Sequence, residues 1–145
     1  MGFLIDTNVI SELRKGKRAD ANVRQWFEQA DEAAIYISAL TLGEIRNGVE
    51  RLRRRDPASA DMLETWLREV EVTMAERILP ITPAIADCWG RLGVPDPLPV
   101  IDSLLAATAL THGLILITRN VADVERTGVK VTNPFIEHSI TKRTR

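Results

Sequence analysis

Phe3-Leu4-Ile5-Asp6-Thr7-Asn8 begins as a short apolar strand and stops abruptly on a carboxylate. Placing a charge directly behind a buried strand is costly unless it meets a partner. Asp6 is therefore either the cap of a following helix or part of a site. The pattern recurs along the chain. Ile35-Tyr36-Ile37 reads as a strand and ends on Ser38, and Leu114-Ile115-Leu116-Ile117, the strongest strand signal, ends on Thr118-Arg119-Asn120. Weaker strands are expected at Ile78-Leu79-Pro80-Ile81 and Val129-Lys130-Val131.

Helical periodicity fills the intervals. A first helix is expected through Val9, Ile10 and Leu13, capped by Thr7 or Asn8, and a second over Ala21 to Gln29 with Val23, Trp26 and Phe27 on one face. A third covers Leu40 to Arg54. Asp56-Pro57 breaks it, since proline disfavours helix in the residue before it. The next carries a stripe of Leu63, Trp66, Leu67 and Val70, which reads as core or as an interface. Thr82-Pro83 opens another helix, Gly93 to Pro99 is a loop, and the last long helix runs from Ile101 to His112 with Gly113 behind it. Strands separated by helices imply an α/β fold with a mostly parallel sheet covered on both faces. Ligands then collect at the carboxyl ends of the strands, where Asp6, Ser38 and Thr118 fall.

Composition narrows the function. The 145 residues suit one compact domain, and 19 basic against 20 acidic residues give no global charge that would attract nucleic acid. No apolar run approaches a membrane span, and no secretory leader is expected, so the reading is a cytoplasmic protein. Cys88 is the single cysteine, which excludes an internal disulfide. His112 and His138 lie at no zinc-ligand spacing from each other or from Cys88. Basic residues nevertheless cluster at Arg14-Lys15-Gly16-Lys17-Arg18 and at Arg51-Leu52-Arg53-Arg54-Arg55, either as solvated surface or as phosphate contacts. No aromatic platform for base stacking is evident.

Asp6, Glu44 and Asp102 each have an innocent reading as helix-start charges. Together at one sheet edge they would repel one another, and a hard divalent cation removes that conflict. Mg²⁺ or Mn²⁺ suits such an oxygen-only set, using one or two carboxylates, water and substrate phosphate.

Four segments in order, Leu4-Ile5-Asp6-Thr7-Asn8-Val9-Ile10-Ser11, Ser38-Ala39-Leu40-Thr41-Leu42-Gly43-Glu44-Ile45, Asp102-Ser103-Leu104-Leu105-Ala106-Ala107-Thr108-Ala109 and Ile117-Thr118-Arg119-Asn120, resemble PIN-domain nucleases, in particular VapC-type toxins of toxin–antitoxin pairs. Thr132-Asn133-Pro134-Phe135 resembles the end of that domain. The resemblance implies a three-layer α/β/α sandwich over residues 1–135, followed by a basic tail at 136–145. It implies a Mg²⁺- or Mn²⁺-dependent endoribonuclease, with Asp6, Glu44 and Asp102 as its acidic catalytic and metal-holding set.

Many relatives carry aspartate where Asn120 stands, so Asn120 or Asp123 is expected at the fourth position. Thr7, Asn8 and Thr118 would orient carboxylates or waters. Arg14, Lys15, Lys17, Arg46 and Arg119 are candidates to hold the RNA backbone. A cognate antitoxin and a homodimer are the implied partners, with no membrane.

Two acidic-site alternatives fit less well. An aspartyl-phosphate phosphatase wants a second aspartate where Asn8 stands, and a phospho-receiver domain wants a lysine where Arg119 follows Thr118. An inactive PIN-fold module that binds RNA or protein is the third.

Overall fold

A computed structural model describes residues 1–136. The described chain alternates strand and helix as expected. Its elements are β1 (Phe3–Ile5), α1 (Thr7–Leu13), α2 (Ala21–Gln29), β2 (Ile35–Ser38), α3 (Ala39–Arg53), α4 (Pro57–Thr73), β3 (Ile78–Leu79), α5 (Pro83–Leu92), α6 (Val100–His112), β4 (Ile115–Ile117), α7 (Val121–Val124) and β5 (Val131–Thr132). The strands form one sheet in the order β3-β2-β1-β4-β5, and each neighbouring pair is parallel.

Alternation along each short strand sorts the two cores. Ile5, Ile35, Ile37 and Ile117 point to one face, where Val9, Ile10, Val23, Trp26, Ile45, Leu67 and Val70 of α1 to α4 cover them. Leu4 and Leu116 point to the other, against Leu105, Ala106 and Ala109 of α6 and Val124 of α7. Alanines let α6 lie close on the sheet. The result is the expected three-layer α/β/α sandwich. The stripe on α4 is core, with Leu67 and Val70 buried and Leu63 and Trp66 half-buried.

Helix starts follow local chemistry. Asp20, Ser38, Asp56 and Thr82 each cap a helix with a side-chain oxygen, and Pro57 and Pro83 occupy first turns. Gly113 ends α6 with φ +67°, a conformation in which a side chain is strained.

Two expectations are corrected. Asp6, not Thr7 or Asn8, caps α1, so both of those side chains are free to serve elsewhere. The last strand pairs at Val131–Thr132, opposite Leu116 and Ile117, rather than beginning at Val129. Gly128, at φ +78°, turns the chain just before, and Val129 is spent filling the core beneath α6.

Among the described residues no helix is long and apolar enough to cross a membrane. Of the expected tail, residues 137–145 lie outside the described residues, as does His138.

Candidate active site

The sheet order places the site. From β1 the chain builds outward through β2 and β3, then returns to add β4 on the opposite side of β1. The carboxyl ends of β1 and β4 therefore flank the topological switch point, where a crevice opens in parallel sheets. Asp6 leaves β1 at this point and Thr118 leaves β4, and the Asp6 amide donates to the Ile117 carbonyl at 2.9 Å.

Asp6 is 5% exposed, and both carboxylate oxygens are held. The Thr7 amide donates to Oδ1 at 2.6 Å, and the Thr118 hydroxyl donates to Oδ2 at 2.7 Å. Asn8 Nδ2 also donates to Oδ2, at 3.2 Å. Asn8 reaches across the crevice as well, accepting from the Arg119 amide at 3.3 Å, while Thr118 Oγ1 accepts from the Asn120 amide at 3.0 Å. Asn8 and Thr118 thus tie the turn after β4 to the start of α1. Thr7, the first residue of that helix, donates its hydroxyl to Glu44 Oε1 and links Glu44 to the same frame.

Asp102 enters from α6, half-buried in its first turn. Burial pushes its carboxyl up to about 6, and the neighbouring charges of Asp6 and then Asp123 push the same way. A hydrogen bond with Asn120 opposes the rise, and one with Asp123 adds to it. Asp6, Asp102, Asn120 and Asp123 are therefore one electrostatic group, with Glu44 joined through Thr7. Both residues expected at the fourth position reach Asp102.

The donor chemistry suits a hard divalent cation: carboxylate and amide oxygens, packed so that one carboxyl resists ionising. Among the described residues no three carboxylate, imidazole or thiol groups converge as a complete cage. Mg²⁺ commonly uses one or two carboxylates and keeps several waters, so an acidic pair is sufficient.

The expected RNA contacts separate. Lys15 pairs with Glu12 at 2.9 Å, and Arg14 lies over the Trp66 ring at 5.7 Å. Lys17 is exposed in the turn after α1. Arg46 faces α4, bonded to Glu50 at 3.0 Å and to Glu64 at 3.2 Å, so an ion pair already occupies its guanidinium. Arg119 follows Thr118 and lies 3.8 Å over the ring of Phe135. Asn22 of α2 donates to the Phe135 carbonyl at 3.0 Å and anchors that segment. The sequence shows no such platform because Arg119 and Phe135 are joined only by folding; Asn133-Pro134, a turn signal, was the available hint.

Comparison with known proteins places these features in a group. The family model described as PIN domain matches residues 3–129. The VapC ribonuclease Y4jK of Sinorhizobium fredii is 31% identical over 140 residues, covering 92% of this chain and 97% of its own. A crystal structure of FitAcB from Neisseria gonorrhoeae superposes with a TM-score of 0.83 at 28% identity, covering 93% of this chain and 99% of that one. A toxin–antitoxin complex from Klebsiella pneumoniae gives a TM-score of 0.68 at 25% identity, covering 94% and 100%.

Proposed function

This chain belongs to the PIN domain family, and from that premise we propose that it is a metal-dependent endoribonuclease, the toxin of a toxin–antitoxin pair. The observation that carries the reading is the acidic group itself. Asp6 is fixed on both oxygens while Asp102 faces it with a carboxyl raised to about 6. Likeness to the ribonuclease Y4jK supplies RNA as the substrate class. Likeness to the Klebsiella complex supplies a cognate antitoxin as partner. A homodimer belongs to the same reading.

Asp6 and Asp102 would hold Mg²⁺ or Mn²⁺, with Glu44, Asn120 and Asp123 around them. A divalent cation bound there supplies Lewis acidity toward a phosphate oxygen and makes water nucleophilic near neutral pH. The protein's own part is orientation. Thr118 and Asn8 hold Asp6 Oδ2 in one direction, so its lone pairs need not reorganise when substrate arrives. Thr7 fixes Glu44 at the edge where RNA enters. Hydrolysis by water cleaves a phosphorus–oxygen bond without using the RNA's own 2′-hydroxyl, which fits an acidic group to which the described residues bring no histidine, His112 closing α6 at the end opposite Asp102. Intact Asp6, Glu44 and Asp102 argue against an inactive binding module, and Asn120 retains its bond to Asp102.

The test is cleavage of a mixed structured RNA pool with Mg²⁺, Mn²⁺ or EDTA, beside an Asp6→Asn control. Cutting that needs the cation and disappears in the folded variant is the expected result. A folded Asp6→Asn protein that still cuts would overturn the site, and metal-independent cutting would overturn the mechanism.

A further inference from the structure

The basic run at the end of α3 divides between two faces of the helix. Arg46 and Arg53 fall on one side with Glu50, which pairs with both, and the two arginines reach Glu64 of α4. Glu44, Asn47 and Arg51, spaced three and four apart, share the other side. There they line a groove of ≈ 430 Å³ together with Leu40, Gly43 and Ile101. Ile101 immediately precedes Asp102 on α6, so the groove is bounded by the two helices that bring Glu44 and Asp102 to the acidic group.

Resting on the nuclease reading above, we propose that this groove is the track of the single-stranded RNA next to the cut. Four observations choose that occupant. The groove is lined at one end by Glu44, which the Thr7 hydroxyl ties to the acidic site. Arg51, exposed at the far end, has no ion-pair partner among the described residues, whereas Arg46 and Arg53 are both paired. Asn47 offers an amide with donors and acceptors halfway along, suited to a base edge. Gly43 has no side chain, and a Cβ built there meets nothing within 4 Å, so the floor stays open. Arg51 lies seven positions after Glu44, about 10 Å along the helix. A strand leaving the cut thus meets a base-reading amide and then a guanidinium suited to bidentate phosphate contact.

Arg51→Ala, Asn47→Ala and Gly43→Leu would be compared with Arg54→Ala and Arg55→Ala, which change the neighbouring exposed arginines. The probe is a short single-stranded RNA spanning a site that the wild-type chain cuts. Affinity is read in the Asp6→Asn background and kinetics in the otherwise native chain, after melting curves establish folding. Arg51→Ala should raise KM and weaken binding by about tenfold, with kcat little changed. It should also reduce the slope of log affinity against log salt by about 0.7, the loss of one phosphate contact. Gly43→Leu should raise KM by blocking the floor, and Asn47→Ala should relax nucleotide preference on one side of the cut.

If Arg51→Ala and Gly43→Leu match the Arg54→Ala and Arg55→Ala controls while the native chain cuts RNA, the groove is not the track and the nuclease stands. If the native chain cuts no RNA with any cation, the nuclease reading fails, and the track fails with it.

Discussion

Asp102 and Glu64 are carboxyl groups in opposite surroundings, one at the sheet edge and one on the α3–α4 hairpin. Glu64 is ringed by cations: Arg53 at 2.5 Å, Arg68 at 2.9 Å and Arg46 at 3.2 Å. Their hydrogen bonds, led by that of Arg68, hold its carboxyl down at about 2. Asp102 is pushed up to about 6, first by burial and then by the charges of Asp6 and Asp123. The hairpin has satisfied its charge and can do little with it. The sheet edge has left its charge unbalanced, and an unbalanced oxygen cluster has a use only when a cation or a proton arrives. That contrast separates structural ion pairs from candidate chemistry more sharply than counting acidic residues does.

The strongest way to break the comparison is Asp102→Asn. Cleavage should fall by at least about a thousandfold, the scale of losing several kcal/mol of metal-assisted stabilisation. Stability should move the other way in EDTA. Asp102 has a folded value raised from 3.8 to about 6, so between those pH values the folded state keeps a proton that the unfolded chain gives up. Its contribution is fully present below about pH 4 and is lost as pH rises through about 6. Wild type in EDTA should therefore lose melting temperature over that window, and Asp102→Asn should lose less. Adding Mg²⁺ at pH 7 should raise the midpoint of wild type and leave the variant nearly still. A variant that melts lower than wild type in EDTA at pH 7 would mean that the carboxylate is structurally satisfied after all.

A smaller effect is expected one step out. Thr118→Val keeps the shape of a buried side chain but removes the hydroxyl that donates to Asp6 and accepts from Asn120. Cation affinity and kcat should drop by about 10- to 100-fold, as for other groups that orient a ligand without binding it. Thr118→Ser, which restores the hydroxyl, should recover most of the loss. Equal defects in both variants would assign Thr118 to packing alone.

These sites differ in how far they could be read before folding. Phe3-Leu4-Ile5 and Leu114-Ile115-Leu116-Ile117 were legible as strands because short apolar runs end on polar residues, and the parallel order followed from the helices between them. Asp6, Glu44 and Asp102 were legible as a set by their places near the ends of elements and by the resemblance of their segments to PIN-domain nucleases. The choice of Asp6 over Thr7 and Asn8 as the cap of α1 was not, because all three are capable caps and tertiary bonds decide among them. The roles of Arg46 and Arg51 were also hidden. Both are arginines of α3, and what sorts them is Glu64, on another helix. The stacking of Arg119 on Phe135 depends on β5 returning beside β4, which no local pattern records.

The mildest test is on the compensated side. Glu64→Gln keeps the size of the side chain and removes the charge shared by Arg46, Arg53 and Arg68. Glu64 is held below its ordinary 4.5, so its stabilising contribution is present above that value and is lost as pH falls toward about 2. The variant should melt below wild type at pH 7, and the gap should close on acidification. High salt should narrow it too, because the side chains are partly exposed. RNA cleavage should stay within about twofold of wild type, since sites that share no partner behave independently. A large loss of cleavage with little change in melting would show instead that the clamp positions Glu44 through α3. The α3–α4 hairpin would then belong to the catalytic frame, and the division between satisfied and unsatisfied charge would no longer mark the boundary of the site.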